Sequence, residues 1–293
     1  MRQVLGKRSA IISLLAPGFA FFIFAVLFPI LLSVYYGMTG YQGIGVPNFI
    51  GLANFREILL HDHIFWTSLR NSLLLAAAYI VIQHPVCMFF AVIIDAIGGK
   101  VEKAFRTIAF LPVVISVVVT SKMWVSVLEP RYGLANKVLD LVGLSVLKQQ
   151  WLGDIRTSLA SIILICIWQG AGWVILFYYA GLKGIREELY EAARIDGASG
   201  TQTFFRITFP LLSPVIRVIV TLAIISALKQ MEVIFLTTNG GPNNATQFLG
   251  NYLYQRAFLY QQYGYGTALS VLFVIVCVVA NLLLNKLIRN RET

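Results

Sequence analysis

Long apolar runs alternate with shorter polar segments along the whole of this chain. A helix needs about 20 apolar residues to cross a bilayer. Six runs are long enough, and they cover residues 11–36, 72–97, 107–127, 159–181, 214–236 and 267–287. The pattern therefore predicts an all-α membrane protein with six transmembrane helices, organised as a single membrane domain over residues 1–293.

The polar segment 185–210, between the fourth and fifth runs, carries the signals of two short helices joined by a sharp bend. Gly197 stands where the first helix needs a residue at positive φ in order to stop. Ser199 and Gln202 have the spacing of a capping box, which starts the second helix. An ordinary connector between two spans is the alternative interpretation of this segment.

Composition supports a membrane protein, because only 12% of the residues are charged and 58% are hydrophobic. Soluble domains have about 25% charged residues. The net charge of +10 does not indicate nucleic-acid binding, since the charges cluster at the ends of apolar runs rather than along one basic face.

Candidate catalytic chemistry is missing from the sequence. The three cysteines, Cys87, Cys166 and Cys277, all lie inside apolar runs without the spacing of metal ligands. Phosphate-binding GxxxxGK[ST] loops, serine elbows and HExxH motifs do not occur either. We therefore expect no catalytic residue, metal or cofactor on this chain, and any energy for uphill transport must come from elsewhere.

Lysine and arginine in the segments that flank the runs predict the orientation, because cytoplasmic segments are enriched in both. One side, with the two termini, the turn 98–106 and the region from Lys183 to Arg217, has 14 of these residues, and the other side has seven. Both termini and the segment 185–210 are thus predicted to be cytoplasmic.

Among the ionisable residues within the predicted spans, Lys122, Lys229 and Glu232 are the candidates for a functional role. Each costs about 2.5–3.5 kcal/mol on insertion scales, so such groups usually face a bundle interior or a wet cavity. Lys229 and Glu232 are three residues apart, which on a helix gives them one face and allows them to pair. A polar substrate cavity that accepts hydroxyls or an anionic group is one interpretation, and lysines that reach the outer interface are the other.

The fourth run has an aromatic and amide face. Gln169 and Trp173 share one side of a helix, and Gly170 allows a close approach to its backbone. Aromatic planes contact the C–H faces of sugar rings, and amides bind hydroxyls, so this face suits a carbohydrate. Packing against lipid or another helix is the alternative.

The segment 185–210 resembles the EAA loop of permease subunits in binding-protein-dependent ABC importers. That pattern is E-A-A, three residues, G, nine residues, I, any residue and L-P, and Phe209 replaces its leucine here. The residues that match it, or that we assign with them to ATPase coupling, are Glu191, Ala192, Ala193, Asp196, Gly197, Ile207 and Pro210. In the family this loop docks into a cleft on a separate ATPase subunit.

Other landmarks extend the resemblance to most of the chain. Residues 51–55, 110–136 and 236–242 resemble the first of the two unlike permeases of carbohydrate importers of the maltose and glycerol-phosphate type. The resemblance implies the type I ABC importer permease fold. Aligned on these motifs, the substrate-lining faces of the family fall on Cys166, Gln169, Gly170 and Trp173, and on Ile225, Leu228, Lys229 and Glu232. Lys122 is a further candidate for substrate binding.

The resemblance implies a permease of an ATP-driven carbohydrate importer in the inner membrane of a bacterial or archaeal cell. Its partners would be a second permease, two ATPase subunits that bind ATP and Mg²⁺, an extracytoplasmic solute-binding protein and membrane lipid, with no nucleic acid. The alternative is an ion-coupled secondary carrier that acts without an ATPase. That carrier would need a titrating carboxylate, for which Glu232 is the sole deep candidate, and no inverted repeat is evident.

Overall fold

A computed structural model describes residues 8–289 of the chain. The regular secondary structure in this range is helical, apart from an isolated antiparallel bridge between Thr39 and Phe49. The predicted all-α class is therefore confirmed. Arg2, Lys7 and Arg291, which enter the charge count, lie outside the described residues.

The α-helices are numbered here in chain order. They are α1 (Arg8–Phe22), α2 (Phe28–Gly37), α3 (Ala53–Leu60), α4 (His63–Ala78), α5 (His84–Ile97), α6 (Gly99–Val114), α7 (Val117–Val127), α8 (Leu134–Leu141), α9 (Ile155–Lys183), α10 (Glu187–Ile195), α11 (Gly200–Thr203), α12 (Phe209–Leu211), α13 (Ser213–Lys229), α14 (Glu232–Thr237), α15 (Leu249–Tyr254) and α16 (Tyr263–Arg289). Ser145–Leu147 is a 3₁₀ turn.

Within residues 8–289, five helical stretches are long and apolar enough to cross a membrane: Leu14–Gly37, His63–Ile97, Ile155–Lys183, Ser213–Thr237 and Tyr263–Leu283. They overlap five of the six predicted runs. The remaining run, 107–127, corresponds to α6 and α7, which make a sixth span if the two are counted together.

The run 107–127 is not one straight helix, because α6 and α7 are bent by 94° across a break. Ile115 is extended, with φ −71° and ψ 131°. The Ser116 hydroxyl accepts a hydrogen bond from the Val118 N–H at 3.3 Å and so caps α7. A capping serine pairs a donor at the start of a helix, so the chain can turn here although its apolar pattern continues.

Three of the four π-helical turns in residues 8–289 come directly before an X-Pro pair. Proline has no N–H, so the carbonyl four residues earlier loses its usual donor. A π turn lengthens the hydrogen-bonded loop by one residue and is a known cause of helix bending. The turns are Ile23–Leu27, Tyr79–Gln83 and Phe204–Thr208, each followed by a backbone bond to the carbonyl five residues back, from Phe28, His84 and Phe209.

The described chain divides into two compact units, one formed by 8–62 and 253–276 and the other by 63–252 and 277–289. In the first, the Asn54 side-chain amide donates to the carbonyls of Gly37 and Thr39, both at 2.9 Å. The Tyr265 hydroxyl donates to the Asp62 carboxylate. These bonds connect the end of α2 with α3, and the end of α3 with α16.

The second unit is organised around α9. This helix contributes Ile162 and Ile165 to one buried apolar cluster and Ile175 and Tyr178 to another. At Gly172, α9 comes so close to α6 that a Cβ would lie 2.6 Å from the Ala109 carbonyl oxygen. Glycine is needed there because any side chain would collide with backbone.

Candidate coupling loop and translocation cavity

The segment between α9 and α13 has the predicted bend at Gly197. This residue has φ +73°, and its N–H donates to the Arg194 carbonyl at 3.1 Å. The next N–H, of Ala198, reaches back to the Ala193 carbonyl at 2.9 Å. The two bonds form a Schellman motif, in which glycine takes the left-handed position. The prediction that Gly197 stops the first helix is confirmed.

The second arm of the loop begins with the predicted capping box. The Ser199 N–H donates to Gln202 Oε1 at 2.8 Å, and the Gln202 N–H donates to Ser199 Oγ at 3.3 Å. Tyr190 of the first arm and Thr208 of the second are joined through their hydroxyls at 3.2 Å. The loop is therefore a defined unit with two helical arms.

The predicted coupling residues differ in exposure. Ala193 is buried, at 7% exposed, and Ile207 is half-buried. The remaining five are exposed: Glu191, Ala192, Asp196, Gly197 and Pro210. Sequence reasoning missed Ile195, which is 86% exposed beside the bend. A large apolar side chain next to the glycine that ends a helix was the available signal.

Within the membrane-spanning part of the second unit, a cavity of about 300 Å³ opens between α9, α13 and the turn before α5. Gly170 and Trp173, both predicted, line it together. Gln83 and Ser226 add an amide and a hydroxyl to its wall, and neither was predicted. Aromatic planes and a few polar groups thus meet in one space, which is the usual composition of a small-molecule site.

Gly170 lies close to the side chain of Gln83. The Gln83 amide donates to the Ile167 carbonyl at 2.8 Å, and a Cβ at Gly170 would lie 2.9 Å from the same amide nitrogen. Trp173 is 54% exposed and makes an edge contact with Phe110, with ring centroids 5.7 Å apart. It can therefore contact a ligand with the rest of its ring surface.

Lys229 and Glu232 do not share one helical face, and the prediction that they do is wrong. α13 ends at Lys229, Gln230 is extended (φ −59°, ψ 122°), and α14 begins at Glu232. No ion pair joins the two side chains in the range 8–289, and both are exposed. A Cβ at Gly250 would lie 2.9 Å from the Lys229 carbonyl oxygen, so α15 packs closely on the broken backbone.

The other predicted lining residues are dispersed. Leu228 is fully buried, at 0% exposed, which contradicts its expected place on a lining face. Gln169 is half-buried and is not among the residues that line the cavity. Lys122 is exposed on α7, beyond the bend after α6. The structure therefore brings together Gly170 and Trp173 but not the whole predicted set.

These elements define a helical, multi-pass membrane protein with a solvent-exposed bent loop and a cavity in its spanning part. Over residues 87–292 the chain matches the family described as the binding-protein-dependent transport system inner membrane component. The match covers well over half of the chain, and the chain belongs to this family. The resemblance predicted from the segment 185–210 is confirmed, and the family is a transport component rather than a catalytic one.

Individual relatives agree with this assignment. The chain is 35% identical to a probable ABC transporter permease protein of Pyrococcus horikoshii, over 92% of each protein. It is 32% identical to the arabinooligosaccharides transport system permease protein AraP of Bacillus subtilis, over 96% of this chain and 89% of AraP. Among solved structures it resembles a bacterial ABC transporter involved in the import of the acidic polysaccharide alginate, with 25% identity and a TM-score of 0.80 over 95% of this chain and 94% of that one.

Proposed function

We propose that this chain is one of the two transmembrane subunits of an ATP-driven carbohydrate importer. The observation that carries the proposal is the exposed loop with a Schellman bend at Gly197, in a chain whose relatives include permeases for arabino-oligosaccharides and a transporter of alginate. The chain forms half of the translocation pathway and performs no catalysis itself.

Coupling to ATP hydrolysis runs through the loop. Glu191, Asp196 and Ile195 project from its surface around the bend, and we assign them to the contact with a separate ATPase subunit. ATP and Mg²⁺ are bound there, and this chain needs no cofactor of its own. Both termini and the loop face the cytoplasm, in agreement with the excess of basic residues on that side.

A second permease completes the pathway. Support comes from the first apolar stretch, Leu14–Gly37, in which none of the most apolar window is buried by this chain. An extracytoplasmic binding protein delivers the substrate. One solved relative, with a TM-score of 0.81, is an alginate transporter in complex with a periplasmic protein that holds an alginate pentasaccharide.

Substrate binding is assigned to the cavity beside α9. Trp173 and Phe177 offer aromatic faces for sugar rings, and Gln83 and Ser226 offer an amide and a hydroxyl for sugar hydroxyls. Lys122, Lys229 and Glu232 do not line this cavity but are exposed, and they would supply charged contacts elsewhere along the pathway. Gln169 is a further contact near the cavity.

The test is the ATPase activity of the reconstituted importer, stimulated by the sugar-loaded binding protein, in a Gly197→Pro variant. Proline fixes φ near −65°, whereas Gly197 has φ +73°. We therefore expect the stimulation to be lost while the six spans and the assembly remain.

Gly200→Pro is the matched control for this experiment. Gly200 is the first residue of α11, where proline is tolerated, and Ser199 already has a conformation suited to precede proline, with φ −68° and ψ 158°. Unchanged stimulation in Gly197→Pro would make the loop a passive connector. Uptake that persists without the ATPase and stops when the proton gradient collapses would instead establish the ion-coupled carrier.

A further inference from the structure

A second and larger cavity, of about 800 Å³, lies between α5 and residues 199–210, the second arm of the loop, which we name the coupling segment. It shares no lining residue with the cavity beside Trp173. Its volume is within the range of about 300–1,000 Å³ typical of ligand pockets. Substrate translocation, as assigned above, does not account for this space.

The walls of this larger cavity are apolar and rich in aromatic rings. Phe89 projects from α5, and Phe204, Phe205 and Phe209 project from the coupling segment. Phe89 and Phe205 are each 63% exposed. Such a surface in contact with a bilayer accommodates a hydrocarbon chain without the loss of any hydrogen bond.

A smaller cavity of about 330 Å³, lined by both apolar and polar residues, adjoins the apolar one, because Val92, Gly200 and Phe204 line both. Arg194 and the hydroxyl-bearing Thr203 lie on its wall. The two cavities together therefore have an apolar end among spanning helices and a polar end at the coupling loop.

Among the residues that line this smaller cavity, Arg194 carries the one charge that makes no ion pair. Asp95 also lines this cavity, but its carboxylate is paired with Lys183 at 2.7 Å. Arg194 is exposed and makes no ion pair within residues 8–289. An arginine fork is well suited to a phosphate group, so this end is complementary to an anionic headgroup.

We propose that the paired cavities bind one anionic membrane phospholipid, with an acyl chain among Phe89, Phe204 and Phe209 and the headgroup phosphate at Arg194. The apolar cavity would face the membrane core and Arg194 the membrane surface, which is the order of the acyl chain and headgroup in an anionic phospholipid. The assignment of the headgroup to the cytoplasmic leaflet rests on the proposed function, in which the loop faces the cytoplasm.

The position of this lipid would connect it to coupling. The π turn Tyr79–Gln83 leads into α5 on one side of the apolar cavity, and the π turn Phe204–Thr208 supplies its opposite wall. Interrupted helical turns of this kind often mark hinges and functional sites. A bound acyl chain would therefore limit the movement of the coupling segment relative to α5.

The test uses fluorescence quenching by brominated lipids in the complete importer, reconstituted in phosphatidylcholine vesicles. Phe89→Trp places a reporter in the apolar cavity, and Phe90→Trp, on the neighbouring residue outside the lining, is the matched control. Brominated phosphatidylglycerol should quench the Phe89→Trp reporter at about one-fifth of the concentration that brominated phosphatidylcholine needs, because one basic residue contributes about 1 kcal/mol to binding of an anionic lipid. The control should show no such preference.

Arg194→Gln should abolish the preference for the anionic lipid, and Arg194→Lys should restore most of it. Equal quenching by the two lipids would mean that bulk lipid, without a specific site, contacts this surface. The absence of quenching would mean that a protein partner covers it. Either result overturns the lipid site. The readout does not use ATPase activity, so a failure here is separate from a failure of the Gly197→Pro test.

Discussion

The coupling loop and the cavity beside Trp173 differ in the sequence separation of the residues that their hydrogen bonds join. In the loop, the bonds around Gly197 and Ser199 join residues three to five positions apart. In the cavity, the bond from Gln83 to the Ile167 carbonyl joins residues 84 positions apart. Local signals therefore shape the loop, whereas helix packing shapes the cavity.

This difference explains why the predictions for the two regions had different outcomes. The bend and the capping box follow from the residue types at Gly197, Ser199 and Gln202, and both are confirmed. On the cavity side, the prediction that Leu228 and Glu232 share a helical face assumed one continuous helix. The helix breaks after Lys229, so that face does not exist.

The largest expected effect comes from the packing of α9. In Gly172→Ala, the added Cβ would lie 2.6 Å from the Ala109 carbonyl oxygen and 3.1 Å from the Phe110 Cα. Backbone cannot yield as a side chain does, so we expect destabilisation of about 1–3 kcal/mol. Thermal unfolding of the purified protein in detergent measures it.

Gly170→Ala is the paired variant on the same helix. Its Cβ would meet only the Gln83 side-chain amide, which can move, and alanine favours the helix by about 0.5–1 kcal/mol. We expect a change in stability near zero. Equal losses in the two variants would break the distinction between backbone and side-chain contacts in this region.

Trp173→Ala should lower the apparent affinity of sugar uptake by roughly two- to tenfold, the effect of losing about 0.5–1.5 kcal/mol of aromatic contact. Trp168→Ala is the control, because Trp168 packs edge-on against Trp124 at 5.6 Å and does not line the cavity. Concentration-dependent uptake in vesicles separates the two. A larger affinity loss for Trp168→Ala would move the binding surface to another face of α9.

Ser199→Ala should affect the coupling loop alone. Loss of an N-cap costs about 1 kcal/mol, so the amides at the start of α11 should exchange hydrogen roughly fivefold faster while α9 is unchanged. Thr201→Ala, at an exposed position of the same helix, is the control. Faster exchange that spreads into α9 would contradict the local character of the loop.

The smallest expected effect is the coupling between Lys229 and Glu232. Since no ion pair joins them, the effects of Lys229→Gln and Glu232→Gln on unfolding free energy should add within about 0.5 kcal/mol. A double-mutant cycle measures this. An interaction energy above 1 kcal/mol would restore the pairing that the sequence spacing predicts.

The number and approximate position of the apolar runs, the helical class and the bend at Gly197 all follow from the amino-acid sequence. These features depend on the hydropathy of consecutive residues or on hydrogen bonds between near neighbours. The same reasoning placed Gly170 and Trp173, three residues apart, on one side of α9. In the structure both residues line the cavity.

Long-range packing, in contrast, sets where helices break and which distant side chains meet. The 94° bend between α6 and α7 and the stop at Lys229 interrupt runs whose hydropathy continues unbroken. Gln83 reaches the cavity because α9 has a glycine opposite it. Contacts of this kind join residues far apart in the chain, and the residue types around each position, read alone, do not specify their partners.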